Sequence, residues 1–364
     1  MTKTFDIAVF PGDGIGPEIM TPTLEILSGL SNTAETYRLA CTELPAGAKT
    51  YQETGNALPA SSLERARSAD AILLAAMGLP SVRYADGTEI SPQIDLRFEL
   101  DLFAGVRPVS IRPGQPTPLA LSGGQRVDFV LIRESTEGLF HTRAKGEVTE
   151  TEAYETLKIT RATSEKLFRF AFDLAEQRKA AGIGPGRVTC VDKANIFRAF
   201  AFFRKIFDEE AARHPGIRAD HAYVDATALW MVEKPWVFDV MVTENMFGDI
   251  LSDLGAGLMG GLGMAPSADI GENHAVFQPC HGSAPDIAGQ GVANPMAMIL
   301  SGAMMLDWLG HKHDLPEMIH DGRRLTDAVD SVISGARTLT RDLGGTSSTG
   351  EAAHAVAAAL GSRA

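Results

Sequence analysis

Cysteine is scarce: the 364 residues hold only Cys41, Cys190 and Cys280, far apart and without paired spacing. That excludes a disulfide framework and a cysteine metal centre. No apolar run approaches the ~20 residues a membrane helix needs. The opening MTKTFDIAVFPGDG carries Asp6 where a signal peptide would be unbroken and apolar. The expectation is a cytoplasmic protein with no membrane partner. Positive charge is also short, 33 Lys and Arg against 46 Asp and Glu, for a net charge of -13. A surface of that sign repels phosphate, so nucleic acid is excluded as a partner. Any anionic ligand must be held by a local cluster of cations.

What is present is the composition of an ordinary globular chain, 45% hydrophobic and 22% charged. Its length exceeds what one core usually supports, so two domains are the default. Strands are predicted at FDIAVF (5–10), DAILLAAMG (70–78), VDFVLI (127–132), RVTCV (187–191), ADHAYV (219–224) and VFDVMV (237–242). Helices are predicted over 17–30, opened by Pro17 and closed near Gly29, around Ser61 to Arg67, from Arg161 to Ala181, and over 296–310. In the third of these, Leu167, Phe170, Ala171 and Leu174 fall on one face. The alternation gives an α/β class. Residues 135–160, polar and threonine-rich, are too long for an ordinary connection and read as an arm, strand-forming and used in subunit contact. From 255 to 295, dense glycine and proline predict a loop system close to a ligand.

Four constellations could carry chemistry. In TENMFGDILSDLG (243–255), Asp249 and Asp253 stand at i and i+4 of a helix. Such a like-charge pair costs ~0.2–0.5 kcal/mol unless compensated. A Mg²⁺ or Mn²⁺ ion would compensate it; a solvated helix face is the plainer alternative. In VTCVDKANIF, an apolar strand runs into Asp192, Lys193 and Asn195, and Asp225 ends the strand before it in the same way. Strand ends of α/β sheets are where ligands sit; Lys193 either moves protons there or reaches into solvent. Arg97, Arg107 and Arg133 stand at structured junctions and suit a small polyanion, although each alone could be a surface residue. Lastly, Gly12, Gly14 and Gly16 of AVFPGDGIGPE (8–18) form G-x-G-x-G and not the dinucleotide fingerprint G-x-G-x-x-G.

Taken together, PGDGIGPE, LRFELDLFAGVRP, IRESTEG, VDKAN, YVDA, FGDILSDLGAGL, HGSAPDIAGQGVANP and ILSGAMMLDWLG resemble, in order and over nearly the whole chain, the β-decarboxylating dehydrogenases. That family includes isopropylmalate, isocitrate, homoisocitrate, D-malate and tartrate dehydrogenases. The resemblance implies two open α/β domains sharing a mixed sheet, not a Rossmann fold. The first would comprise 1–102 with 261–364, and the second 103–260, with the dimer helices, the metal site and the arm at about 134–160. It implies an oxidoreductase that uses NAD and Mg²⁺ or Mn²⁺ on a dicarboxylate or tricarboxylate malate derivative. Arg97, Arg107 and Arg133 would grip substrate carboxylates; Asp225, Asp249 and Asp253 would bind metal. Lys193 and Asp225 would be catalytic and reach the site from the neighbouring subunit of a homodimer. Ile15, Asn195, His281, Gly282, Ser283, Ala284, Asp286 and Asn294 would bind the cofactor. Asp286 would accept from the adenosine ribose and repel a 2'-phosphate, which favours NAD.

Two departures qualify the resemblance. Seven residues after Arg133, where the family usually has a proton-donating tyrosine, stands Phe140; His141, Lys193 or water would substitute, or the late step is altered. In ISPQIDLR, Ser91 and Gln93 resemble the polar contacts of isocitrate dehydrogenases. An unpaired amide against an isopropyl group would cost about 1–3 kcal/mol. The expected substrate therefore carries a polar, isocitrate-like substituent. Isopropylmalate, then D-malate or tartrate, are the alternatives, and a non-catalytic binding or regulatory homologue is the reading from another class.

Overall fold

The computed structural model describes residues 2–122, 124–143 and 145–361. The chain begins β1 (Lys3–Gly12), α1 (Gly16–Thr33), β2 (Tyr37–Glu43), α2 (Ala48–Thr54), α3 (Ala60–Ser68), β3 (Ala71–Ala76) and α4 (Pro92–Glu99). It continues through β4 (Ala104–Ser110), β5 (Asp128–Glu134), the short β6 (Glu147–Val148) and β7 (Ala153–Tyr154), and α5 (Arg161–Ala180). Next come β8 (Arg187–Asp192), α6 (Arg198–Ala211), β9 (Arg218–Tyr223), α7 (Val224–Glu233), β10 (Val240–Thr243) and α8 (Asn245–Leu258). The last stretch holds β11 (Pro266–Ile270), β12 (Ala275–Pro279), α9 (Met296–His313), α10 (Pro316–Gly335) and α11 (Thr349–Gly361).

Ten strands form one mixed sheet in the order β2-β1-β3-β12-β11-β4-β5-β10-β8-β9. β2, β1, β3 and β12 are mutually parallel, as are β5, β10, β8 and β9, while β11 and β4 run antiparallel to both neighbours. Two parallel blocks of opposite direction thus meet at β11 and β4. β3, AILLAA, is buried at every residue, as a strand covered on both faces requires. α9 buries nearly its whole circumference beside it, from Met296 to Leu309.

Most predicted elements appear within a few residues of their expected ends. One region differs. The Gly/Pro-dense stretch 255–295 was expected to be loop, yet β11 and β12 form a fully buried antiparallel hairpin in the middle of the sheet. Its two prolines pair with each other at the strand ends, where a missing N–H does least harm. The strand expected over 237–242 starts only at Val240, since Pro235–Val237 make a single 3-10 turn. The arm does form strands: β6 and β7 pair as an exposed two-stranded ribbon.

Candidate active site

The tight turn after β1 is tied down by a buried carboxylate. Asp13 accepts from the amides of Ala48 and Lys49, capping α2, and from the amide of Gly78 after β3, at 2.7–2.9 Å. Gly14, at φ 59°, lies so close to the 281–294 loop that a Cβ would sit 2.0 Å from the Ser283 carbonyl oxygen. The amide of Ile15 donates to that same oxygen at 2.8 Å. The G-x-G-x-G turn is therefore a close-contact joint between two segments and its aspartate is already engaged, so it does not form a phosphate cradle.

A polar cavity of about 180 Å³ lies over the junction of the two strand blocks. Gln93, Arg97, Arg107, Arg133, Asp249 and Asp253 all line it. α4 delivers Arg97, β4 Arg107, β5 Arg133 and α8 the two aspartates. The three arginines are each at most 9% exposed. Arg97 Nε and Arg107 Nη2 donate to the two oxygens of Asp269, each at 3.0 Å. Arg133 pairs with Asp249 and donates to Asn245 Oδ1 at 2.8 Å, while its Nε is buried without a partner. Burial first, and then the neighbouring charge of Arg97, pull the Arg133 guanidinium down to about 10. It is the cation most in need of an anion. Gly248 allows this: a Cβ there would come within 2.6 Å of Arg133 Cβ, so only glycine lets α8 lie against the arginine and bring Asp249 to it.

Asp249 and Asp253 share one face of α8. Desolvation first, and then the charge of Asp249, raise the Asp253 carboxyl. A strained like-charge carboxylate pair rimming a cavity fits a hard divalent cation, so these residues suit the expected metal. The third expected ligand is elsewhere. Among the described residues, Asp225 does not gather with Asp249 and Asp253; the acidic cluster that does form, Asp173, Glu176 and His214, lies apart from the cavity. Asp225 instead pairs with Lys193 Nζ at 2.5 Å, and this hydrogen bond holds its carboxyl below the ordinary range. Asp192, next to Lys193, is buried and bound at both oxygens by Arg204. Exposed apolar side chains recur on the segments around this pair and on α8: Ile196 and Phe197 shortly after Lys193, Leu229 and Val232 on α7, which carries Asp225, and Met246 and Ile250 on α8. Asn195 is exposed beside them.

The remaining expected residues divide. His281 and Gly282 line the cavity, and His281 Nε2 is buried without a partner. Ala284 is held at φ 36°, a conformation rare for a side-chain-bearing residue. Ser283 donates to the Gly78 carbonyl, and Asp286 is exposed. Glu18 fixes the far end of this loop by accepting from the amides of Gly289 and Ala293 and from Thr349 Oγ1. An orphaned imidazole nitrogen, a strained backbone and an exposed acid on a loop fixed at both ends fit a nucleotide cofactor. Asn294 is already engaged, donating to Asp342 at 2.9 Å and accepting from the Met296 amide. Ile15 is packed in the main core at 5% exposure.

Gln93 lines the cavity with Oε1 buried and unpaired. Ser91 does not line it, because its hydroxyl accepts from Arg143 at 3.1 Å and donates towards the Glu89 carbonyl. Phe140 lies 6.0 Å from the Arg133 guanidinium, edge-on to Phe98 at 6.1 Å. Residues that sequence reasoning missed are Asp269, which holds Arg97 and Arg107, Gln278, which donates to Asp269, and Asn245, which holds Arg133. A larger groove of about 510 Å³ between α1, α10 and α11 is mainly apolar and brings no comparable set of charges together.

A family model described as isocitrate/isopropylmalate dehydrogenase matches residues 6–356. The 3-isopropylmalate/3-methylmalate dehydrogenase of Methanocaldococcus jannaschii is 40% identical, over 96% of this chain and 97% of its own. The 3-isopropylmalate dehydrogenase of Listeria monocytogenes is 41% identical, over 95% of each. Among solved structures, isocitrate dehydrogenase from Methylococcus capsulatus superposes with a TM-score of 0.83 at 35% identity, covering 98% and 99% of the two chains. The chain belongs to the isocitrate/isopropylmalate dehydrogenase family. Within it, the chain is an NAD-dependent β-decarboxylating dehydrogenase, an oxidoreductase. The expected isocitrate-like polar substituent is not supported, because curated relatives at about 40% identity are named for isopropylmalate. Of the two polar residues behind that expectation, Ser91 is taken up by Arg143, whereas Gln93 does line the cavity.

Proposed function

We propose that the chain oxidises and decarboxylates a 3-alkylmalate of the isopropylmalate kind, using NAD⁺ and Mg²⁺ or Mn²⁺, as a homodimer with shared sites. The observation that carries this reading is the convergence of three buried arginines and the Asp249–Asp253 pair on one small cavity, with the Phe98–Phe140 pair beside Arg133. Arg97, Arg107 and Arg133 orient the two carboxylates of a malate core, and the aromatic pair receives the alkyl group. Asp249 and Asp253 would hold the metal, which would supply Lewis acidity, and the 281–294 loop would hold NAD⁺, which would supply the hydride acceptor.

Lys193 and Asp225 of a second copy complete the site, a role supported by their absence from the cavity lining of one chain and by the exposed apolar side chains on the segments that carry them. Lys193 removes the hydroxyl proton, directly or through Asp225 and water. It returns that proton to C3 after CO₂ leaves, since Phe140 has none to give. The exposed ribbon extends the subunit contact. Two lobes, 1–102 with 261–364 and 103–260, would flank the cavity; the reversal of strand direction across the sheet supports this division.

The test is an NADH screen over 3-substituted malates with Mn²⁺, following CO₂ in parallel. A 3-alkylmalate is expected to be preferred, with equal yields of NADH and CO₂. Preference for isocitrate would overturn the substrate assignment, and NADH without CO₂ would overturn the decarboxylation.

A further inference from the structure

Asp269 does not line the cavity and touches no reacting atom in the mechanism above, yet it is a heavily engaged carboxylate directly behind the arginines that do line it. It lies on β11, 1% exposed. Its Oδ2 accepts from Arg97 Nε at 3.0 Å and Gln278 Nε2 at 2.7 Å, and its Oδ1 accepts from Arg107 Nη2 at 3.0 Å. The other terminal nitrogen of Arg107 donates to the carbonyls of Ala268 and Val106. Among the described residues, Arg97 hydrogen-bonds through Nε alone and neither terminal nitrogen has a partner. The strand register makes room for this arrangement. Gly105 pairs with Arg133 on one side and with Asp269 on the other. A Cβ there would stand 3.1 Å from Asp269 Oδ1 and 3.3 Å from Arg107 Nη2, so glycine keeps the ion pair uncrowded.

We propose that Asp269 is a positioning and specificity residue: it aligns Arg97 and Arg107 and cancels one of three buried positive charges, fitting the site to a dicarboxylate and against a third carboxylate. This rests on the proposed function and narrows it to malates whose 3-substituent is uncharged. Three arginines and one aspartate leave two net positive charges, enough for the two carboxylates of a malate core. The charges of Asp249 and Asp253 are matched by a divalent ion and leave this count unchanged. A further cation nearby, Arg143, is also matched, by Asp95 at 3.2 Å, while it donates to Ser91. A third carboxylate would therefore enter a desolvated site with no surplus cation, a costly position for a buried ion. Burial by itself would raise the Asp269 carboxyl, but the charges of Arg97 and Arg107 hold it at about 2, so the cancellation persists at any pH where the protein works.

The experiment measures binding of 3-isopropylmalate and isocitrate by titration calorimetry with Mg²⁺ and no NAD⁺, in wild type, Asp269→Asn and Asp95→Asn. Asp269→Asn is expected to shift the ratio of the two dissociation constants at least tenfold towards isocitrate. It should also weaken 3-isopropylmalate binding a few-fold as Arg97 and Arg107 lose their anchor. Asp95→Asn, a half-exposed position that does not depend on core packing, frees Arg143 and should shift the ratio about threefold in the same direction. A merely structural role would weaken both acids together and leave the ratio alone. An unchanged ratio in Asp269→Asn overturns the inference, and if that variant does not fold, an unchanged ratio in Asp95→Asn does so. Should neither acid yield NADH in the wild type, the proposed function fails, while the calorimetric ratio still decides the role of Asp269.

Discussion

The arginine cavity and the Lys193–Asp225 pair are built to opposite plans. At the cavity, the three arginines and the Asp269 behind them are buried and pinned by partners, and with the exposed Asp249 and Asp253 at the rim they are drawn from elements spread over the chain: α4, β4, β5, α8 and β11. Lys193 and Asp225 instead meet on adjacent segments, with the Asp225 side chain 67% exposed, among apolar residues that water surrounds. The cavity is preorganised to hold an anion and poor in groups that could move a proton. The pair offers a lysine amine, the proton carrier of the proposed reading, but no wall to exclude water or bind substrate. On the proposed reading these are two half-sites, and joining two copies would complete both.

The largest effect that could break this contrast comes from Asp249→Asn. Losing a metal ligand should lower Mn²⁺-dependent NADH formation by roughly 10³-fold, the scale of several kcal/mol of Lewis-acid stabilisation. A rate within tenfold of wild type across a Mn²⁺ titration would remove the α8 pair from the metal site. Next is complementation. Arg133→Ala and Lys193→Ala should each be inactive alone, whereas co-assembled they should regain about a quarter of wild-type activity, because half of the dimers carry one intact site. No recovery in isolated mixed dimers would mean that both residues serve a site within one chain.

Smaller effects sharpen the cavity side. The Asp269 carboxyl is held at about 2 against an unfolded value of 3.8, lowered by Arg97 and then Arg107 against the opposing effect of burial. Its contribution, roughly 2 kcal/mol, is fully present above about pH 4 and lost as pH falls through 2. Denaturant unfolding between pH 6 and 3 should therefore show a shallower acid slope in Asp269→Asn than in wild type. Smallest of all, Phe140→Tyr should raise kcat by less than about tenfold, since Lys193 already supplies the proton and a second acid adds little of its usual ~10²–10⁴. A much larger gain would show that protonation at C3 limits the wild type.

Local pattern made part of this legible. The i, i+4 spacing of Asp249 and Asp253 put both on one helix face, and apolar runs such as AILLAA marked buried strands. The β11–β12 hairpin escaped notice because its prolines and glycine neighbours imitate a loop, and because Ser267 and Asp269 make PSADI look polar for a central strand. Their alternate spacing, two polar residues on one face of a five-residue strand, was the available signal. Its meaning depended on knowing that arginines lie across that face. Likewise Ser91 and Gln93, two apart on one short segment, look equivalent in sequence, yet Arg143 draws one away and leaves the other facing the cavity.

The sequence by itself determined the α/β class, the family, and the residue types that reach the cavity, because each follows from short-range spacing or from motifs read in order. Only the tertiary structure decided how those residues are used. Arg97 and Asp269 are 172 positions apart, and they meet because β11 and β4 are inserted between two oppositely running blocks of strands. That register, with a glycine where a side chain would intervene, sets Asp269 against three mutually repelling arginines and leaves two of their positive charges uncancelled by it.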